Sequence, residues 1–201
     1  MEQEKYISKK ERSRIKIMHA AKGLFERYGI DDVTFTQIAK EADVCRTTVF
    51  NHFAGTRELL LAIFAQETED LKVYAESTGL EGVPLIYALF DRLIEDTAYY
   101  PTLSIRLITN AIISRDEENP IAMIEDMVRE NLTSEKPDER ERLVVSITGV
   151  YYGLINHYHI NKLKFEPEIM KTEFRRMMNG IIKYEGGQYY EQLWNFKMGR
   201  S

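Results

Sequence analysis

The stretch FTQIAKEADVCRTTVFNHF, residues 35–53, constrains what this chain can fold into more than any other. It holds two short helical patterns joined by a tight polar turn. In the first, Ile38, Ala39 and Ala42 form the buried face, and the alanines let neighbouring helices approach closely. Thr34-Phe35-Thr36-Gln37 fits a capping box at its start, with the threonine oxygen and Gln37 each satisfying a backbone N–H that the first turn leaves unpaired. Asp43 ends it, where a left-handed residue is wanted and Asp is tolerated better than most side chains. The second pattern, from about Arg46 to Phe53, buries Val49, Phe50 and Phe53 and turns Arg46, Thr47, Thr48, Asn51 and His52 outward.

A longer helix precedes the pair. In SRIKIMHAAKGLFERYG the apolar positions Ile17, Ala20, Ala21, Leu24, Phe25 and Tyr28 recur at three and four, and Gly29 supplies the stop. Three helices whose second and third are joined by about four residues make a helix-turn-helix, a geometry that lays the third helix in the DNA major groove. Helical hairpins of this length also occur as plain packing units, so the pattern alone leaves both readings open.

A net charge of −5 looks wrong for a nucleic-acid binder until it is divided along the chain. Residues 1–57 carry 11 Lys and Arg against 8 Asp and Glu, or +3, while the remaining residues carry 16 against 24, or −8. Positive charge therefore gathers at the end that holds the helix pair, where a phosphate backbone would need it.

Everything after Gly55 reads helical. An amphipathic stretch covers TRELLLAIFAQETEDLKVYAEST, a break follows at Gly79, Gly82 and Pro84, and further helices are expected at about 84–99, 102–115, 120–133, 139–163 and 167–185. The breaks between them each contain a proline, expected to end the preceding helix. With no hairpin signal, the fold class is all-α: an N-terminal arm and three-helix domain over 1–57, then a larger helical domain over 58–201 that begins with a connecting helix.

The single cysteine, Cys45, excludes an internal disulfide and a multi-cysteine zinc site. His157 and His159 stand two apart on a helix and point about 200° apart, which rejects a shared metal ion. Neither a signal-peptide core nor a bilayer-spanning apolar run is present, so a cytoplasmic protein without a membrane partner is expected. No nucleophile elbow, phosphate-binding glycine loop or His-Glu-x-x-His occurs, and neither an enzyme nor a cofactor is expected.

Residues 12–64 resemble the TetR family of bacterial transcriptional regulators, on Thr34, Ile38-Ala39, Ala42-Asp43-Val44, Thr48-Val49-Phe50-Asn51-His52-Phe53 and Arg57-Glu58-Leu59-Leu60. Beyond about residue 70 only the helical layout and length are similar. The resemblance implies a homodimer that binds a palindromic operator as a repressor and is released by a small-molecule effector held in the C-terminal domain. It implies that Thr34, Thr36, His52 and Arg57 hold phosphates, fixing register. It assigns base reading to Arg46, Thr47, Thr48 and Asn51, where Arg suits guanine, Asn adenine and a threonine methyl thymine. The chain departs from the family pattern at Asp43, where glycine is common, Cys45, in place of serine, and Phe50, in place of tyrosine. A thiol at a helix start beside Arg46 favours the thiolate, so Cys45 is a candidate redox sensor or a small residue filling the serine's place.

In the later part, Ser146, Gly149, Gly153, Asn156 and Ile160 share a helix face with little bulk, beside a second face of Leu143, Ile147, Tyr151, Leu154 and Tyr158. Met170, Phe174, Met177, Met178 and Ile181 make an apolar stripe on the last long helix. By the resemblance these two helices form the dimer, through Gly149, Gly153, Asn156, Phe174, Met177, Met178 and Ile181. The effector is expected among the helices from 84 to 160, near Tyr87, Phe90, Arg106, Asn110, Tyr151, Tyr152 and His157, where aromatic walls and polar anchors mix. Two alternatives accompany this reading: a DNA-bound interaction module without any small-molecule ligand, to which the aromatic tail QYYEQLWNFKMGRS gives some support, and a helical-bundle enzyme.

Overall fold

The computed structural model describes residues 8–113, 119–132 and 136–185; the tail and the first part of the expected N-terminal arm lie outside them. All regular structure among the described residues is helical: α1 (Lys9–Tyr28), α2 (Phe35–Glu41), α3 (Arg46–His52), α4 (Thr56–Thr78), α5 (Gly82–Tyr99), α6 (Pro101–Ile113), α7 (Pro120–Glu130), α8 (Pro137–Ile160) and α9 (Pro167–Glu185). The prolines expected to terminate helices instead start them, since Pro101, Pro120, Pro137 and Pro167 are each the first residue of the next helix. At that position the missing N–H costs nothing and the fixed φ already suits the helix. No helix is long and apolar enough to cross a membrane among the described residues.

Packing divides the chain into two compact units, with the boundary inside α4. The first takes the chain up to Glu67 together with Tyr100–Leu107; the second takes Thr68–Tyr99 and everything from Ile108. In the first unit Ile17, Phe25, Ile38, Val49, Phe53 and Leu59 close a core with almost no solvent contact. Fully burying one such side chain is worth roughly 1.5–3 kcal/mol. Leu103 of α6 completes that core. Three polar contacts fasten the same segment: Glu26 Oε2 accepts the Leu103 N–H at 3.1 Å, Lys22 Nζ lies 4.6 Å over the Tyr100 ring, and Arg106 pairs with Asp31 at 3.6 Å.

The link from α2 to α3 is set by its hydrogen bonds. Val44 N–H reaches back to Ala39 O at 3.0 Å and Asp43 N–H to Lys40 O at 3.3 Å, with Asp43 at φ 53° between them. This is a Schellman ending, which normally places glycine at the left-handed position. The sequence expectation of a left-handed Asp43 is met. The capping box is also present: Gln37 N–H donates to Thr34 Oγ1 at 3.3 Å, and Thr34 N–H to Gln37 Oε1 at 2.7 Å.

In the second unit α8 packs on α9 and α7, and α5 on α9. Phe90, Tyr151 and Phe174 form its aromatic centre, with Phe90 stacked on Phe174 at 4.8 Å and tilted against Tyr151 at 5.6 Å. Arg175 pairs with Asp91 and Lys171 with Glu95, so α9 is registered against α5 by charge as well as by bulk.

Replacing Asp43 with glycine removes the penalty of a side chain in the left-handed region while keeping both turn hydrogen bonds. Asp43→Gly is expected to raise unfolding stability by about 1 kcal/mol, read by urea denaturation. Asp43→Val, β-branched at the same φ, is expected to lower it.

Candidate nucleic-acid interface

The third helix, α3, is short, seven residues held on one side only. Val49 and Phe53, one turn apart, enter the core; Arg46, Thr47 and Asn51 are exposed, and Thr48 is half-buried. Thr48 Oγ1 lies 2.9 Å from Cys45 Sγ, so its hydroxyl has a local partner and its methyl remains for apolar contact. That hydrogen bond is the main cause holding the exposed Cys45 thiol below its ordinary pKa of 9.0. No side-chain cap closes the start of α3, consistent with a cysteine where a serine oxygen would accept.

Phe50 departs from expectation. It is 45% exposed, not buried. A helix of this length has one contact face, and Val49 and Phe53 occupy it, so the residue after Val49 is rotated about 100° onto the rim. There its ring leans on the buried Phe35 at 5.0 Å, and the Arg46 guanidinium lies over it at 5.2 Å. Tyr28 is likewise exposed, its ring near the Arg27 guanidinium at the end of α1.

Four side chains stand where phosphate contacts are expected. Thr36, in the first turn of α2, and Arg57, in the first turn of α4, are exposed. Thr34 is exposed, but its hydroxyl lies 2.7 Å from Gln37 Oε1 and also accepts the Gln37 N–H; in the free protein it serves as a helix cap. His52 is half-buried, and its pKa falls below the ordinary 6.5 chiefly because of burial, then because of the positive charges of Lys10 and Arg14. Arg14 itself lies 4.7 Å over the Phe53 ring, which fixes it beside the end of α3. Sequence reasoning missed Lys10 and Arg14 as part of this cationic edge. Their spacing of four on one face of α1 was a legible signal, but only the packing of α1 on α3 brings them to His52.

The residues expected near an effector divide. Tyr87, Phe90 and Tyr151 are buried in the second unit, and Tyr152 is half-buried with its ring against Tyr151. Burial pushes the Tyr87 and Tyr151 phenols up to about 12, and their hydroxyls meet Asn179 Oδ1 at 2.8 Å and Thr97 Oγ1 at 2.7 Å. Tyr152 is different: its hydroxyl oxygen is buried and has no hydrogen-bonding partner among the described residues, and burial raises its pKa. Arg106 does not join this group; it sits in the first unit, paired with Asp31. Asn110 and His157 are exposed, His157 Nδ1 lying 3.2 Å from the Asn161 amide.

The residues expected at a dimer interface divide too. Phe174 and Met178 are fully buried within their own unit and face its core. Gly149, Gly153, Asn156 and Met177 are exposed, and Ile181 is half-buried. A Cβ added at Gly149 or Gly153 would meet nothing within 4 Å. Val145 and Ile160, 64% and 65% exposed, continue the α8 face at helical spacing.

Residues 17–63, the span of the three-helix head, match the family model described as bacterial regulatory proteins, tetR family. The match covers the head alone, which is that of the TetR family. The HTH-type transcriptional regulator MT2310 of Mycobacterium tuberculosis is 24% identical over 175 residues, covering 83% of this chain and 93% of that protein. Among solved structures, a TetR-class transcriptional regulator from Aquifex aeolicus superposes with a TM-score of 0.66 at 20% identity, over 84% of this chain and 99% of that one. The Thermus thermophilus repressor FadR, solved in complex with lauroyl-CoA, does so with a TM-score of 0.57 at 21% identity, over 85% of this chain and 93% of that one. These relatives are regulators of transcription, and the solved ones give the two-part helical fold its precedent.

Removing the unpartnered phenol oxygen should relieve a desolvation cost that nothing in the protein offsets. Tyr152→Phe is expected to stabilise the protein by about 1 kcal/mol in urea unfolding, an unusual sign for a buried polar-to-apolar change.

Proposed function

We propose that this protein is a cytoplasmic repressor that binds a palindromic operator as a homodimer and lets go when a small molecule enters its C-terminal unit. The observation that carries the reading is the outward face of α3. It presents Arg46, Thr47 and Asn51 without obstruction, on a helix whose entry angle is fixed by the Asp43 turn. Arg46 would read guanine, Asn51 adenine, and Thr47 and Thr48 thymine methyls, each bidentate pair being worth roughly 1–3 kcal/mol of discrimination. Thr36, Arg57 and His52, joined by Lys10 and Arg14, would hold phosphates and fix register. Thr34 would support them as the cap of α2.

The second half of the reading rests on the α8–α9 surface. Val145, Gly149, Gly153, Asn156 and Ile160 make an exposed strip of low bulk that suits close approach of the same strip on another copy, with Met177 and Ile181 alongside. Phe174 and Met178 would support that strip from beneath without contacting the partner. The effector would lie against Tyr152 and the neighbouring aromatic cluster, supplying the acceptor that the phenol lacks; Arg106, Asn110 and His157 have no part in it. FadR of Thermus thermophilus, solved in complex with lauroyl-CoA, gives one precedent for a ligand on a protein of similar fold.

Selection from a random-sequence duplex pool tests the whole. The wild-type protein is expected to enrich a palindrome, and Arg46→Ala with Asn51→Ala to enrich none while still melting like the parent. Gly153→Arg is expected to run as a monomer in size-exclusion chromatography with light scattering, to keep its fold, and to lose at least tenfold in affinity for the palindrome. Enrichment of non-palindromic DNA, or none by the wild type, would instead favour the interaction-module alternative.

The sign of the pH response follows from His52. Burial and the charges of Lys10 and Arg14 disfavour its imidazolium in the free protein, outweighing Glu11, which favours it. A phosphate placed beside it favours the imidazolium, so binding takes up a proton and affinity for the palindrome is expected to rise as pH falls from 8 to 6. His52→Gln should flatten that dependence. Folding runs the other way: the unfolded chain takes up this proton more readily, so His52 lowers stability as pH falls through its ordinary 6.5.

A further inference from the structure

Phe50 has an unusual place for an apolar ring. It stands on the rim of the reading helix, nearly half exposed, yet it is not loose: one side leans on Phe35, itself 8% exposed and anchored in the first unit's core. Over the ring lies the guanidinium of Arg46, one helical turn back. Among the described residues no carboxylate pairs with Arg46, so the ring is the contact that gives this side chain a preferred place. Arginine carries a large rotamer entropy, and a fork that must meet a base edge bidentately has to give most of it up on binding.

We propose that Phe50 is a specificity-determining positioning residue: tilted against Phe35, it holds the Arg46 guanidinium by a cation–π contact in the orientation used to read a base. This rests on the DNA-reading role proposed above and adds to it. A ring at this position contributes through its π face and offers no hydroxyl to a phosphate, so its effect falls on discrimination between sequences and not on the general attraction to DNA. Cation–π contact with a delocalised guanidinium requires an aromatic partner; an aliphatic side chain of similar bulk fills the space on Phe35 without ordering Arg46.

The test uses the full-length protein and the duplex that the wild type enriches from the random pool, with a scrambled duplex as the non-specific reference. Phe50→Leu is expected to lose roughly three- to tenfold in affinity for the selected duplex while its affinity for the scrambled duplex and its salt slope stay unchanged. The loss should concentrate at one base pair, seen when each position of the duplex is varied in turn. Phe50→Tyr and Phe50→Trp, which keep a π face, should restore discrimination at that pair. In the double mutant with Arg46→Ala, Phe50→Leu should add no further loss, because the two residues then act as one.

Three results would overturn the proposal: an equal fall in affinity for both duplexes, full additivity with Arg46→Ala, or a Phe50→Leu variant as discriminating as the wild type. A fall in melting temperature accompanying equal losses would identify Phe50 as a packing residue only. If the wild type selects no sequence, the DNA-reading role fails and this inference fails with it, whereas selection by the wild type with an unaffected Phe50→Leu leaves that role intact and removes Phe50 from it.

Discussion

The turn between α2 and α3 is the constraint from which the rest of the head follows. Two backbone hydrogen bonds, Val44 to Ala39 and Asp43 to Lys40, require a left-handed residue between them, and Asp43 takes that conformation at φ 53°. A helix of seven residues could not keep its own orientation in water, since isolated helices need roughly twice that length to be even marginal. Its direction is therefore borrowed from α2 through the turn, and from α1 through the burial of Val49 and Phe53. Everything α3 displays outward depends on this. The same solution closes α8, where Leu163 N–H reaches Tyr158 O and Lys162 N–H reaches His159 O, with Lys162 at φ 53°.

Charge and aromatic packing then share the work of placing the outward side chains. Arg14 lies over Phe53 and Arg46 over Phe50, so two cations near the reading helix are located by rings, not by carboxylates. A carboxylate partner would neutralise what a phosphate is meant to meet; a ring orders the guanidinium and leaves its charge available. The surface ion pair between Arg27 and Glu41 is of the other kind: exposed on both sides, it joins α1 to α2 and is worth little on its own. In the second unit, the Tyr87 and Tyr151 hydroxyls have protein partners while that of Tyr152 has none among the described residues, and this contrast separates two structural phenols from one with spare hydrogen-bonding capacity.

Much of the fold was legible in the sequence. The all-helical class followed from three-and-four periodicity and the absence of alternation, and the capping box at Thr34 and the turn at Asp43 followed from local chemistry that needs no distant partner. The prolines marked the right breaks, though they begin helices instead of ending them. What periodicity could not resolve was which of several apolar residues on a short helix reaches the core: Phe50 and Tyr28 read as buried and lie exposed, because each core has room for only one contact face per helix. Phe174 and Met178 read as interface and lie in the interior for the complementary reason, that α9 turns one stripe inward to α5 and α8.

The sequence by itself determined the helices, their caps and the polar face of α3, because these depend on neighbours within four or five positions. Only the tertiary structure decided that Arg106 pairs with Asp31, that Lys10 and Arg14 reach His52, and that Arg46 rests on a ring braced by Phe35. Each of these joins residues on different elements, or fixes a rotamer by contact with another element. Such contacts are set by how helices pack and not by the spacing along any one of them.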